Sequence, residues 1–218
     1  MALVLDKITK SFGEVEVFRN FSISFSEGVI TCILGPSGCG KTTLLNIMGG
    51  LDAPDSGVLE GFAGKRFSYI FQEPRLLPWK TVRENIEFVL PEDCCCDAYA
   101  SPASRAAGRR ARAEELIKRV ELDGFADSYP SQLSGGMRQR VSIARAFAVQ
   151  SDVILMDEPL SGLDVALKKT MLQWFTQIWQ SDRRTVIFVT HDPDEAALAA
   201  QETFVFSAAP VRVLEHRA

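Results

Sequence analysis

Long apolar runs are missing from this 218-residue sequence. Nothing approaches the ~18–20 residues needed to cross a bilayer, and the longest comparable run, Val29 to Leu34, is the size of a strand. The first ten residues lack a basic segment followed by an apolar one, so no signal peptide is expected. Positive charge is not in excess either. Twenty-four Lys and Arg stand against 28 Asp and Glu, a net charge of −4, which gives no electrostatic footprint for non-specific nucleic-acid binding. Arg109, Arg110 and Arg112 form the one dense basic cluster, and it lacks interleaved aromatics; a solvated helix start accounts for it. Cysteines number five, too few and too uneven for a secreted disulfide framework. Three of them (Cys94, Cys95, Cys96) are consecutive, so they cannot all face one tetrahedral ion. What remains, at 46% hydrophobic and 24% charged, is an ordinary globular composition, expected to be soluble and cytosolic.

The apolar pattern changes character along the chain. Phe21 to Phe25 alternates apolar and polar residues with period 2, as in a half-buried antiparallel sheet, before a turn at Glu27-Gly28. Val29 to Leu34, Val153 to Met156 and Thr185 to Val189 are continuous β-branched runs, as in strands covered on both faces. Helical patterns separate them, which points to a parallel α/β sheet, with Thr203 to Phe206 as a further strand. From Val82 to Gln150 strand signals fade. Ala113 to Leu122 and Met137 to Gln150 read as amphipathic helices, and Pro91 to Gly108 reads as a loop. The expectation is one domain over 1–218: a core from 1–81 and 151–218, split by a helical segment over 82–150.

Four groups of residues carry chemistry. Gly35-Pro36-Ser37-Gly38-Cys39-Gly40-Lys41-Thr42 matches G-x-x-x-x-G-K-[ST] between an expected strand and an expected helix. Its glycines let backbone N–H groups converge on phosphate oxygens, Lys41 would reach the β- and γ-phosphates, and the Thr42 hydroxyl would ligate Mg²⁺. The buried run Val153 to Met156 ends in Asp157-Glu158. Asp157 suits Mg²⁺, and Glu158 suits polarising an attacking water. A strand that merely ends in a loop could also carry this pair. His191 follows the third buried run at the same sheet edge, where it can serve either structure or a γ-phosphate. Ser134-Gly135-Gly136 precedes a helix and suits an anion, although an N-cap alone would explain Ser134.

Together these residues resemble the ATP-binding subunit of ABC transporters. Gly35 to Thr42 stands as the Walker A loop, Leu133 to Arg140 as the signature, and Asp157-Glu158 as the end of Walker B. Ser161 to Asp164 stands as the D-loop, Gln72 as the Q-loop glutamine and His191 as the switch histidine. Phe12 takes the place of the aromatic that stacks on adenine. The resemblance implies a P-loop NTPase (RecA-like) α/β core with an N-terminal antiparallel β-subdomain and an inserted helical subdomain. It implies ATP as substrate, held by Phe12, Gly35 to Thr43, Ser134, Gly135, Gly136 and Asp164. Mg²⁺ would sit on Thr42, Gln72 and Asp157, and catalysis would fall to Glu158, His191, Gln72 and Lys41.

It further implies a head-to-tail dimer in which Ser134 and Gly136 of one copy close on the nucleotide of the other. Permease subunits in the membrane and, indirectly, a solute-binding protein would be the partners. The chain would lie on the cytoplasmic face of the membrane as a peripheral subunit. The run Phe71 to Trp79, with Val82-x-Glu84-Asn85-Ile86, Tyr129 to Gln132 and Ser207 to Pro210, resembles importers of nitrate, sulfonates and taurine. Pro193 and Val211 depart from that pattern, standing where an aliphatic residue and a glycine are usual. A soluble ABC ATPase of the DNA-repair kind would need a long coiled coil between Gln72 and Ser134, and the ribosomal kind would carry two cassettes. A nucleotide sensor without hydrolysis is disfavoured by the intact Lys41, Asp157, Glu158 and His191. A GTPase would need an Asn-Lys-x-Asp motif, which is missing.

Overall fold

A computed structural model describes residues 2–91 and 101–217. The run Cys94 to Cys96 lies outside them. Leu3–Phe12 (β1) and Val15–Phe25 (β2) open the chain as an antiparallel pair. Ile30–Leu34 (β3) leads through a short loop into the helix Lys41–Met48 (α1). Ser56–Glu60 (β4) then pairs with β1, giving a three-stranded antiparallel sheet ordered β2-β1-β4. After Phe67–Ile70 (β5) the described residues form three α-helices, Val82–Glu87 (α2), Pro102–Arg119 (α3) and Gly135–Ala148 (α4). Alternation resumes with Val153–Asp157 (β6), Val165–Asp182 (α5), Thr185–Thr190 (β7) and Pro193–Ala199 (α6). Two strands, Glu202–Phe206 (β8) and Val213–Arg217 (β9), close the described chain.

The second sheet runs β5-β6-β7-β3-β8-β9, parallel throughout except for β9, which pairs antiparallel with β8. Every residue of β6 and β7 is buried, as continuous β-branched runs require when helices cover both faces. The order places β7 between β6 and β3. The loops that leave these three strands therefore emerge side by side at the carboxyl edge of the sheet, where open parallel sheets bind ligands. One apolar cluster joins Leu3, Leu5, Phe18 and Phe25 of the small sheet to Leu44, Leu45 and Met48 of α1 and to Ile33, Leu155, Ile187 and Phe206 of the large one. Phe21 meets Phe206 edge-on at 5.5 Å, and Phe25 meets Phe204 likewise at 5.7 Å. Such pairs add about 0.5–1.5 kcal/mol beyond burial.

Contacts divide the chain into two compact units. One holds both sheets: Met1–Gln72, Ser151–Ser161 and Lys168–Ala218. The other comprises Glu73–Gln150 with Gly162–Leu167. Within this helical unit the Arg83 guanidinium ties α2 to Glu114 of α3 and to Asp127, and Val82, Ile86, Leu116, Ile117 and Val141 are buried.

The expected loop Pro91 to Gly108 is overturned in its second part, because α3 begins at Pro102. Ser101 caps it by accepting from Ser104 N at 3.2 Å, and proline suits the first helical position because its missing N–H would have gone unpaired there. Arg109 and Arg110 thus lie inside the helix and not at its start. Arg112 pairs with Glu115, which also pairs with Arg119.

Candidate active site at the carboxyl edge of the large sheet

The Gly35–Thr42 loop leaves β3 and turns into α1 at Gly40, which caps the helix with φ 111°. Glycine is obligatory there on two counts. The backbone lies in the left-handed region, and a Cβ would collide with Val17 Cγ1. Pro36, Ser37 and Gly38 form the exposed crest of the loop, while Cys39 is buried beneath it as a free thiol. Lys41 is only 5% exposed. Its ammonium donates to the carbonyls of Gly35 at 2.8 Å and Pro36 at 3.0 Å and lies 4.0 Å from Glu158 Oε1. A largely desolvated cation with neutral acceptors and one distant carboxylate is poised for a stronger anionic partner.

Thr42, one residue on, donates its hydroxyl to Asp157 Oδ1 at 3.0 Å. Asp157 ends β6 at 8% exposure. Burial raises its pKa, helped by the neighbouring Glu158 and opposed by Thr42 and Lys41. Glu158 adopts φ 42°, a conformation that costs a non-glycine residue about 1–2 kcal/mol. It is held there by its N–H, which donates to the Val189 carbonyl of β7 at 3.0 Å. From this backbone the Glu158 carboxylate faces Lys41 through Oε1 and His191 through Oε2, with His191 Nδ1 3.4 Å from Oε2. Backbone strain of this kind gathers where a side chain must be aimed.

Phe12 ends β1 with about half its surface exposed. The Lys10 ammonium sits over its ring at 5.1 Å and is itself bound to Asp52 at 2.7 Å. Gln72, just beyond β5, donates to Ser161 Oγ at 3.3 Å, and the Ser161 N–H in turn donates to the Glu158 carbonyl at 3.1 Å. Gln72 is thereby linked to the Glu158 turn through Ser161, the first residue of the run that resembles a D-loop, a contact that the sequence alone did not foretell.

Residues 18–161 match the family described as ABC transporter. The chain belongs to this family. Among curated relatives, a sulfate/thiosulfate import ATP-binding protein of Gloeobacter violaceus is 36% identical over 99% of this chain and 65% of its own length. An aliphatic sulfonates import ATP-binding protein of Bacillus cereus is 37% identical over 98% of this chain and 84% of its own. The chain thus spans about two-thirds of the former relative and most of the latter. Among solved structures, the dimeric bacterial ABC transporter cassette MJ0796 superposes with a TM-score of 0.80 at 32% identity, covering 100% of this chain and 98% of that one. A post-hydrolysis dimer of the same cassette bound to ADP and Pi gives 0.77.

In this ABC cassette Ser134, Gly135, Gly136 and Asp164 belong to the helical unit. Ser134 caps α4, accepting from Met137 N at 3.3 Å. Gly135 has open space around it, whereas a Cβ on Gly136 would come within 2.8 Å of Leu167 Cδ2. Asp164 caps the first turn of α5 by accepting from Leu167 N at 2.9 Å. The sheet unit therefore brings together Gly35 to Thr43, Asp157, Glu158 and His191, with Gln72 linked through Ser161. Ser134, Gly135, Gly136 and Asp164 lie in the other unit.

Proposed function

We propose that this cassette binds and hydrolyses ATP as one of two head-to-tail copies and drives a solute importer. The observation that carries the reading is the Lys41, Thr42, Asp157, Glu158 and His191 cluster. A buried ammonium, two hard oxygen ligands 3.0 Å apart and a carboxylate backed by an imidazole at 3.4 Å meet at one sheet edge. Mg²⁺ fits Thr42 and Asp157 on donor chemistry, with Gln72 as a further oxygen ligand, and when bound it neutralises charge on the β- and γ-phosphates. Lys41 and the loop N–H groups bind the phosphates. Phe12 offers its exposed face to adenine. Glu158 orients and takes a proton from the attacking water, and His191 holds the Glu158 carboxylate and the γ-phosphate in register.

Ser134, Gly135 and Gly136 of the second copy complete the phosphate site, which accounts for two anion-type devices in one chain, and Asp164 communicates across the pair. Dimeric solved relatives support this arrangement. The names of the sulfate/thiosulfate and sulfonate relatives support an importer of a small oxyanion-bearing solute, within the nitrate, sulfonate or taurine class that Phe71 to Trp79 suggests. No helix among the described residues is long and apolar enough to cross a membrane. Separate permease subunits, fed by a solute-binding protein, would span it, with the cassette on its cytoplasmic face.

Glu158→Gln tests the hydrolytic reading. The variant is expected to bind Mg-ATP as the wild type does, to lose turnover by about 100-fold or more, and to elute as an ATP-dependent dimer. Undiminished turnover would overturn the assignment.

A further inference from the structure

Lys168, one turn into α5, belongs to none of the sequence motifs. Its ammonium donates to Asp192 Oδ2 at 2.9 Å and reaches Glu195 Oε1 at 2.7 Å. The pairing is sheltered, with side-chain exposures of 18% for Lys168 and 4% for Glu195. Asp192 is the residue after His191, and both of its carboxylate oxygens and its N–H are paired. Its second carboxylate oxygen accepts from Asp194 N at 3.0 Å, capping α6. Its own N–H donates to Thr190 Oγ1 at 3.1 Å. The backbone on either side of His191 is thus fixed, and the imidazole is presented to Glu158 at 3.4 Å.

We infer that Lys168 is a positioning residue for His191: by holding Asp192 and Glu195 it fixes the loop that presents the imidazole to Glu158. Without the ammonium, a nearly buried carboxylate and its neighbour face each other with no counter-charge. Leaving a buried charge uncompensated is strongly unfavourable, and the lowest-cost relief is for the 191–195 segment to move toward water, carrying His191 off its carboxylate partner. Lys168 also holds the Asp192 carboxyl below the usual carboxylate range, so this pairing persists across neutral pH. The inference rests on the reading of Glu158 and His191 as hydrolytic partners, and its test has a readout that needs no hydrolysis.

The chain contains two histidines, which makes imidazole ¹⁵N NMR a direct probe. His216 serves as the internal reference; it stacks on Phe204 at 4.2 Å and contacts Glu202 Oε1 at 3.0 Å. In Lys168→Met the His191 resonances are expected to move while those of His216 stay. In the same variant, kcat for Mg-ATP falls about 10- to 100-fold, as small misplacements of a reacting group do, and KM changes by less than about threefold. Lys168→Arg restores both. Unmoved His191 resonances in a folded Lys168→Met chain overturn the inference. If both histidines shift, the near-isosteric Glu195→Gln decides: a His191 shift alone upholds the inference, and no shift overturns it. A wild-type chain that fails to hydrolyse ATP, yet shows the His191 shift in Lys168→Met, leaves the positioning role standing and refutes the hydrolytic reading.

Discussion

Asp157 is asked to stay ionised in a position that disfavours charge. Burial, with the neighbouring Glu158, lifts its pKa above the usual aspartate value. The unfolded chain therefore ionises this group at lower pH than the native one does. The resulting penalty is nil below the ordinary aspartate range, grows as pH rises toward the raised native value, and is full above it. Asp157→Asn keeps an oxygen to accept from Thr42 and removes the charge. It should melt at a higher temperature than wild type at neutral pH in EDTA without nucleotide, with the gap narrowing as pH falls toward about 4. Added Mg-ATP should reverse the order, since wild type alone keeps the full ligand set and ligand binding stabilises the native state. A melting advantage that is the same at both pH values would contradict this account. Such trade-offs are the signature of a residue kept for binding. The candidate ligand was legible in the sequence, because Asp157-Glu158 closes the apolar run Val153 to Met156; its cost in stability was not, because the burial of the carboxylate is set by tertiary packing.

Within the helical unit, Asn85 of α2 shows how a single buried amide can set a loop. Its side chain is fully buried. Oδ1 accepts from Leu77 N at 2.8 Å, and Nδ2 lies 3.1, 2.9 and 3.0 Å from the carbonyls of Leu77, Lys80 and Thr81. That clamp shapes the turn carrying Trp79, which is 70% exposed. Asn85→Ala would strand a buried N–H and several carbonyls, so a loss of about 2–4 kcal/mol in urea unfolding is expected. A change below about 0.5 kcal/mol would show that water replaces the amide. Elements of this kind divide the legible from the hidden. The buried strands β3, β6 and β7 announce themselves as β-branched runs, and the loops they deliver follow from strand order. Strand β4 was hidden because Ser56 to Glu60 is largely exposed and has no alternation; it is held by pairing with β1. The start of α3 was hidden by its Pro, Ala, Ser and Gly content, even though Ser101-Pro102 forms a good helix start. Ser161 was legible as the first D-loop residue, but its pairing with Gln72, and the role of Lys168, were invisible for a deeper reason. Gln72, Asp192 and Glu195 are brought to these residues by tertiary packing, which no local pattern encodes.

At the scale of the whole molecule, the decisive question is which copy supplies Ser134 to each Lys41. The head-to-tail reading makes a prediction that a site closed within one chain cannot share. Lys41→Ala removes the ammonium proposed to bind phosphate but leaves α4 and its Ser134 cap intact. Ser134→Arg blocks the signature but leaves the 35–42 loop intact. Either variant alone forms dimers in which both composite sites carry a lesion, so each should be inactive. Mixed, they form heterodimers in which one site combines both lesions and the other combines Lys41 of one copy with Ser134 of its partner, both native. If sites act independently and pairing is random, half the dimers are mixed and each has one working site. The mixture should then recover about a quarter of the wild-type rate, rising when one variant is supplied in excess and rates are counted per molecule of the scarcer one. If each nucleotide were instead closed by the signature of its own chain, every chain in the mixture would carry a lesion at its own site. No recovery would then appear at any ratio. Measuring phosphate release while titrating one purified variant into the other separates the two outcomes directly.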